Sequence, residues 1–403
     1  MNKLVYLKNI FAKDKFILNN KFEKIVNEVN LNKNANKIKL IKEIKNEYDK
    51  KLTELTNKYE NKLSQINDEI KLENLKNYDL KYNWEFNESE IDNIFNDLIK
   101  ENISHILSWN KNNIPILNLP EKSLLIEIKN NNVEIINSNK GDNLWNLYEE
   151  RIIPFLEYLK QIDLNNINLK FILIYCDNID IACLKSTPNY DIPILCSSIS
   201  DNCRKIYNNI ILIPNMFFYI KNKIPIDEVK ISDTDFLLKK DSMIFCGNET
   251  NKKRLDFKIW SKKHESSNVI CNLINFRKTK DHKDLYDEKF ISIKDQLENK
   301  YLISIDGFGT AWNGLIWKLY SNSLVLKLNE DYYEYWYSLL KMNNVIFLCN
   351  DFDEMYNKIV SNDVNSNQIK EMLINKKKVA KLIMSDEFNT RYIREILLKL
   401  SVI

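Results

Sequence analysis

Glycine is scarce in this 403-residue chain, with five in all, and neither glycine nor proline occurs in the first 100 residues. A stretch that long without the two strongest helix breakers excludes turn-rich structure there. The seven cysteines (176, 183, 196, 203, 246, 271 and 349) are odd in number and contain no C-x-x-C pair. That pattern excludes a disulfide framework and a zinc knuckle, and it predicts free thiols in a reducing cytoplasm. The three histidines, His105, His264 and His282, have no metal-ligand spacing. An excess of one charge is missing too: 59 Lys+Arg against 56 Asp+Glu leave +3. Nucleic acid needs a concentrated basic surface, so it is not expected as a partner. No run reaches the roughly 18–20 apolar residues of a spanning helix. The opening MNKLVYLKNIFAKDKF lacks the apolar core and cleavage site of a secretory signal, which predicts a cytoplasmic location. Asn, Lys and Ile are abundant everywhere, apparent loops included, which reads as coding-sequence bias and carries no functional weight.

What is present begins with a helical arm, assigned to residues 1–90. Apolar residues recur at Ile41, Ile44, Tyr48, Leu52, Leu55, Tyr59, Leu63, Ile66 and Ile70, in steps of three, four and four. Eleven residues in three turns make about 3.67 per turn, slightly over the ideal helix, so the stripe drifts right-handed, as in a coiled coil. A narrow stripe on a charged helix needs a partner surface. Two readings stay open: an earlier helix carrying Phe11, Leu18, Phe22, Ile25 and Val29, or another copy of the chain through residues 36–75.

From about Ser123 short apolar runs alternate with amphipathic segments. Strands are expected at Leu124–Ile128, Leu169–Tyr175, Ile192–Leu195, Ile210–Ile213, Met243–Phe245, Val269–Cys271, Tyr301–Ile305, Leu324–Leu326 and Val345–Leu348. Helices are expected at 144–162, 251–263, 287–298, 311–320, 331–341, 351–360, 366–382 and 387–402. The alternation predicts an α/β fold with mostly parallel sheets. Residues 221–240 read as an interdomain connection. Two Rossmann-like domains facing a cleft follow, 91–235 and 236–375, with 376–403 a C-terminal helix packing back across them. Ligands would sit at the carboxyl ends of the strands.

Three of the five glycines (307, 309 and 314) fall within YLISIDGFGTAWNGLIWKLYSNSLVLK, residues 301–327. A strand ending at Asp306, a turn through Gly307 and Gly309, and a helix starting near Ala311 make an anion cradle. Unpaired N–H groups and the helix dipole both face the loop mouth. A D-G-x-G turn by itself is also a common strand-to-helix connection.

The stretch DGFGTAWNGLIWKLYSNSLVLK, followed by YYEYWYSLLK and NVIFLCNDFDEMYNKI, resembles the C-terminal half of glycosyltransferase family 90. Its W-x-G-L-x-W-K-L form is most similar to the bacterial lipopolysaccharide branch, and the order of elements fits from about Ile103 onward. The resemblance implies a GT-B-like fold, a UDP-sugar donor, inversion at the anomeric carbon and no metal or other cofactor. It implies a glycan or lipopolysaccharide-type acceptor, and with a glycolipid acceptor a peripheral station at the inner membrane face. It assigns the catalytic base to Asp177, after FILIYC. It also assigns sugar-nucleotide contacts to Gly247, Asn248 and Arg254 in FCGNETNKKR, and to Asp306, Gly307, Phe308, Gly309, Thr310, Ala311 and Trp312. Cys246 and Glu249 stand where the family carries arginines, and the Arg expected before Asp177 is Cys176. These departures motivate a second reading, a catalytically degenerate transferase fold used as a scaffold with a helical oligomerisation arm. A third is an unrelated nucleotide-binding enzyme with the same turn.

Bland readings stand beside these. Asp177 could cap a turn and Arg254 could belong to a solvated Lys-rich face. Trp317 reads as core. Glu334 fits a donor-ribose contact or a helix surface. The pairs Asp233/Asp235 and Asp351/Asp353 have metal-like spacing, and the second pair fits a helix N-terminus.

Overall fold

The computed structural model describes residues 2–31, 37–80, 85–104, 106, 119–120, 122–139, 152–175, 192–207, 209–215, 218, 224–264, 268–275, 283–329, 331–342, 344–360 and 366–402. Its contacts divide the chain into two compact units, Met1–Lys81 and Tyr82–Ile403.

The first unit consists of α1 (Asn2–Leu31) and α2 (Lys37–Leu80). Early positions of α1 meet late positions of α2. Phe11 packs on Tyr59 with ring centroids 5.0 Å apart, and Phe22 on Tyr48 at 4.4 Å. Tyr59 donates to Asp14 Oδ2 and Tyr48 to Asn19 Oδ1, each at 2.6 Å. The pair is therefore an antiparallel hairpin, and α1 supplies the surface that the eleven-residue stripe requires. Ile41, Ile44, Tyr48, Leu52 and Leu55 are half-buried and Tyr59 is buried, while the positions between them, Thr56 apart, face solvent. On α1 the expectation for Ile25 fails: its side chain is 44% exposed, and Val26 lies nearer the seam. Without a glycine or proline to bend it, α1 keeps strict helical phase, and that phase carries position 25 past the contact line.

The second unit is α/β. It opens with α3 (Glu88–Ile103), started by a capping box in which Asn87 Oδ1 accepts from Glu90 N and Glu90 Oε2 accepts from Asn87 N. The first sheet has the order β2-β1-β3-β4-β6. Its strands are β1 (Ser123–Lys129), β2 (Asn132–Asn139), β3 (Leu169–Ile174), β4 (Ile194–Cys196) and β6 (Ile210–Leu212). β3, β4 and β6 run parallel, but β1 is antiparallel to both β2 and β3. Half of this sheet thus departs from the parallel expectation. Asn130 and Asn131, at φ 51° and 63°, close a two-residue hairpin, and a link that short can only join antiparallel strands. β2 escaped the sequence reading because it is an edge strand facing solvent, with Ile135 and Ile136 each 41% exposed. Between β4 and β6 lie β5 (Ile199–Ser200) and α5 (Asp201–Ile206); α4 (Ile153–Leu159) precedes β3.

The second sheet is wholly parallel, in the order β12-β10-β9-β7-β8. Its strands are β7 (Lys240–Asn248), β8 (Val269–Ile274), β9 (Asn299–Ser304), β10 (Leu324–Leu328) and β12 (Phe347–Cys349). Helices connect them: α7 (Lys252–Lys262), α8 (Ile293–Gln296), α9 (Asn313–Tyr320), then α10 (Phe352–Val360) and α11 (Ser366–Ile383). Phe245, Phe257, Leu273, Ile303, Ile305, Leu326 and Met355 fill the core between sheet and helices. The chain leaves β7 for one edge at β8, then returns to the other side of β7 at β9. That reversal is a topological switch point, where ligands of doubly wound sheets collect.

Within the segment read as an interdomain connection, residues 224–240 hold α6 (Ile226–Ser232), and Asp233 and Lys239 form a fully buried ion pair. Asp233 also accepts from Asn322 N, so polar composition here marks an internal network. The helix expected at 331–341 is β11 (Tyr332–Tyr333), which pairs with β5, followed by a 3-10 turn over Tyr337–Lys341. Tyr332, Tyr333, Tyr335 and Tyr337 suit a pleated surface better than a helix. Of the helix expected at 287–298, only α8 forms. The last helix, α12 (Asp386–Val402), returns to the first sheet's half. Phe388 meets Phe95 edge-on, Arg391 binds Asp92 at 2.7 Å, and Tyr392 donates to Leu212 O at 3.1 Å.

Candidate functional site

The carboxyl ends of β7 and β9 lie side by side at the switch point, and the residues just past them are stitched together. Asn251 caps α7, its Oδ1 accepting from Arg254 N at 3.0 Å. Its Nδ2 reaches across to Asp306 O at 2.7 Å and Gly307 O at 3.1 Å. Arg254, one turn into α7, does the same on a larger scale. Nη1 donates to Asn248 O at 2.9 Å, Nη2 to Ile305 O at 2.8 Å, and Nε to Ile305 O and Asp306 O at 3.2 and 3.0 Å. Carbonyl oxygens would repel an anion. The guanidinium neutralises these three and keeps its full charge at the strand ends.

Gly307 is required by closeness. A Cβ there would lie 2.7 Å from Thr250 Oγ1 and 3.2 Å from Arg254 Nη2. At Gly247 it would lie 3.0 Å from Phe245 Cζ and 3.4 Å from Arg254 Nη1. Gly314 differs, since nothing lies within 4 Å, so it belongs to α9 and not to the turn. Gly307 N donates to Gly309 O at 2.9 Å, closing the turn on itself. Trp312 follows at φ 47° and ψ −136°, a backbone conformation rare for any residue but glycine, and then α9 begins. Phe308 stands 41% exposed at the tip; Thr310 is buried, Ala311 and Trp312 half-buried.

Behind the turn the charges are buried. Asp306 is fully buried and binds Lys327 Nζ, on neighbouring β10, at 2.9 Å. Burial holds the Asp306 carboxyl above its ordinary range; Lys327, Arg254 and the Ala311 N–H pull the other way. Lys318 on α9 donates to Ile303 O at 2.7 Å, and burial first, then Arg254, pushes its ammonium down to about 7. Glu334, just past β11, is 3% exposed and accepts from Trp336 Nε1 at 3.0 Å. Burial raises its carboxyl to about 7, against the opposing pull of the nearby Thr310 hydroxyl and the Trp336 N–H. The Thr310 hydroxyl also faces Tyr337, which is buried as well.

Ten of the anticipated positions (Gly247, Asn248, Arg254, Asp306, Gly307, Phe308, Gly309, Thr310, Ala311 and Trp312) therefore gather at one place. Asp177 lies outside the described residues. Asn251, Lys318 and Lys327 were not singled out from sequence. Asn251 carried a legible signal as a capping residue before a helical pattern; a buried lysine pairing across two strands carried none. Glu334 is on no helix surface. The metal-like pairs do other work: Asp233 pairs with Lys239, Asp235 caps a 3-10 turn, Asp351 caps α10 and Asp353 accepts from Trp260 Nε1. Among the described residues, no group of three His, Cys, Asp or Glu side chains could hold a metal ion, and no helix is long and apolar enough to cross a membrane.

Residues 226–381 match the family model of glycosyl transferase family 90. The family-90 segment is less than half of the chain, and it runs from α6 into α11, taking in the whole second sheet and the switch-point turn. It supports a glycosyltransferase. The first sheet and the helical hairpin lie outside it. No curated protein matches the chain.

Proposed function

We propose that the chain is an inverting glycosyltransferase that moves a sugar from a UDP-sugar to a hydroxyl of a glycan or glycolipid acceptor. The observation that carries this reading is the turn at Asp306–Ala311, braced by Arg254 and Asn251 at the switch point of a parallel sheet within the family-90 segment. Nucleoside diphosphates bind at such points because backbone N–H groups and a helix N-terminus face them. The second sheet's half, with its neighbour across β5 and β11, would then be the two lobes of a GT-B arrangement.

In this reading the departing diphosphate gains negative charge as the glycosidic bond lengthens. Arg254 supplies the nearby positive charge, and the turn supplies preorganised dipoles, so no reorganisation is needed during reaction. Asp177, beyond the end of β3, takes the proton from the attacking hydroxyl while UDP leaves on the opposite face of the sugar. Phe308 and Trp312 border the uracil or the sugar.

The test is UDP release from a panel of UDP-sugars with a hydroxyl acceptor mixture. Asp177→Asn should lower turnover by about 10²–10⁴-fold with UDP affinity retained. Unchanged turnover removes Asp177 from the mechanism. One observation favours the scaffold reading: the positions where the family carries arginines supply no cation. Cys246 Sγ turns into the sheet against Asn272 Oδ1 at 3.0 Å, and Glu249 is a buried acid. No release from any donor, together with no shift in melting temperature on adding UDP, would favour the scaffold.

A further inference from the structure

Glu334 sits where the turn can feel its charge without presenting it to a ligand. It is 3% exposed, it lies two residues from Trp336, whose indole N–H it accepts, and the Thr310 hydroxyl, Asp306 and Lys327 all act on its carboxyl. Thr310 is itself 1% exposed and belongs to the turn. No hydrogen bond of ordinary geometry reaches Glu334 Oε1, Thr310 Oγ1 or the Tyr337 hydroxyl, so three buried polar atoms share this space. Such groups are high-stakes, because in a poor dielectric each proton gained or lost is felt by its neighbours.

The charges around it are few. Asp306 at the end of β9 and Lys327 on β10 form a pair, and Arg254 on α7 interacts with that Asp306. Tyr335 and Tyr337 face Glu334 from its own segment as neutral phenols, both held far above their usual range by burial. Asp306 and Lys327 offset one another, which leaves Arg254, Glu334 and Lys318, the α9 ammonium that burial holds down to about 7, to set the balance. Loss of the Glu334 proton makes the inner wall of the turn more negative by one charge.

Resting on the donor reading above, we propose that Glu334 is a positioning residue that acts through Thr310: its proton sets the charge a bound diphosphate meets at the glycine turn, so donor affinity falls as pH rises past neutrality. Burial places the titration near the right pH, since the carboxyl is raised to about 7. The size follows from Coulomb's law. One charge at a separation on the order of 10 Å, with an effective dielectric of about 20, changes affinity by roughly tenfold.

The experiment measures UDP affinity by calorimetry at pH 6, 7 and 8 on the full chain, for the unaltered protein, Glu334→Gln and Glu334→Asp. UDP ionises in this range by itself, so the quantity read is the difference between each variant and the unaltered protein. Affinity of the unaltered protein should fall about tenfold more than that of Glu334→Gln between pH 6 and 8. Glu334→Asp keeps a titrating carboxyl and should keep a pH-dependent difference from Glu334→Gln. Parallel profiles for all three proteins overturn the inference. If Glu334→Gln does not fold, Glu334→Asp decides: its shorter side chain moves the carboxyl, so its midpoint must shift from that of the unaltered protein, and coincident profiles overturn the inference. Absence of UDP binding at every pH overturns the donor reading instead, a different result from bound UDP whose pH profile ignores residue 334.

Discussion

Replacing Lys327 by methionine removes the partner of Asp306 and leaves the shape of the site nearly intact. Both side chains are buried, with 3% and 0% exposure, and the Nζ–Oδ2 distance is 2.9 Å. An unpaired carboxylate cannot stay charged there without a penalty of several kcal/mol, and its escape is to take up a proton. The escape sets a ceiling. Holding a carboxyl of ordinary value 3.8 in its neutral form at pH 7 costs about 4 kcal/mol, at about 1.4 kcal/mol per pH unit. At pH 5 the same step costs about 1.6 kcal/mol. The sign follows from linkage. Burial already raises the folded-state Asp306 with Lys327 in place, and removing Lys327 takes away the main opposing charge and raises it further, so the added loss of stability is absent below 3.8 and grows as pH rises toward the folded value. Urea unfolding of the full chain, followed by circular dichroism at pH 5 and pH 7, reads the difference. Lys327→Met should be destabilised more at pH 7 than at pH 5, by up to about 2–3 kcal/mol. The pair Asp306→Asn with Lys327→Met should recover most of the loss at pH 7, because no charge is then stranded. A penalty equal at both pH values, or a double variant no better than Lys327→Met, would refute the reasoning.

Gly307→Ala should weaken UDP binding and lower stability by about 1–3 kcal/mol, since its Cβ meets Thr250 Oγ1 at 2.7 Å; adding Thr250→Gly should restore part of both in calorimetry and melting curves. Gly314→Ala meets no atom within 4 Å and should stabilise α9 by up to about 1 kcal/mol with donor affinity unchanged. Lys376→Met removes a fully buried amino group that caps α9 by donating to Lys318 O, Leu319 O and Ser321 O; about 2–4 kcal/mol of stability should go with it in urea titrations. Glu334 titrates at about 7 when folded against an ordinary 4.5, so the stability it contributes is complete below 4.5 and is lost as pH rises through 7. Glu334→Gln should flatten that part of the pH–stability curve.

Much of the candidate site was legible because it is local in sequence. Asp306 through Trp312 are contiguous, and scarce glycines clustered after an apolar run announce a turn whatever lies around it. The helical arm was legible for a similar reason: periodicity belongs to one helix, and the stripe from Ile41 to Tyr59 needs no knowledge of its partner. The segment 331–341 misled because helical spacing and tyrosine-rich strand character coexist there, and pairing with β5, more than a hundred residues away, settled the matter.

The sequence by itself determined the parallel sheet and the turn, since these follow from hydrophobic period and from glycine's lack of a Cβ. Only the tertiary structure decided what those residues do to each other. Arg254 reads on paper as a cation for a phosphate, yet its N–H groups hold the carbonyls of Asn248, Ile305 and Asp306. Lys327 reads as an ordinary strand residue, yet it is the buried counter-charge of Asp306. Electrostatic roles depend on distance and on the exclusion of water, and neither exists until the strands are brought side by side.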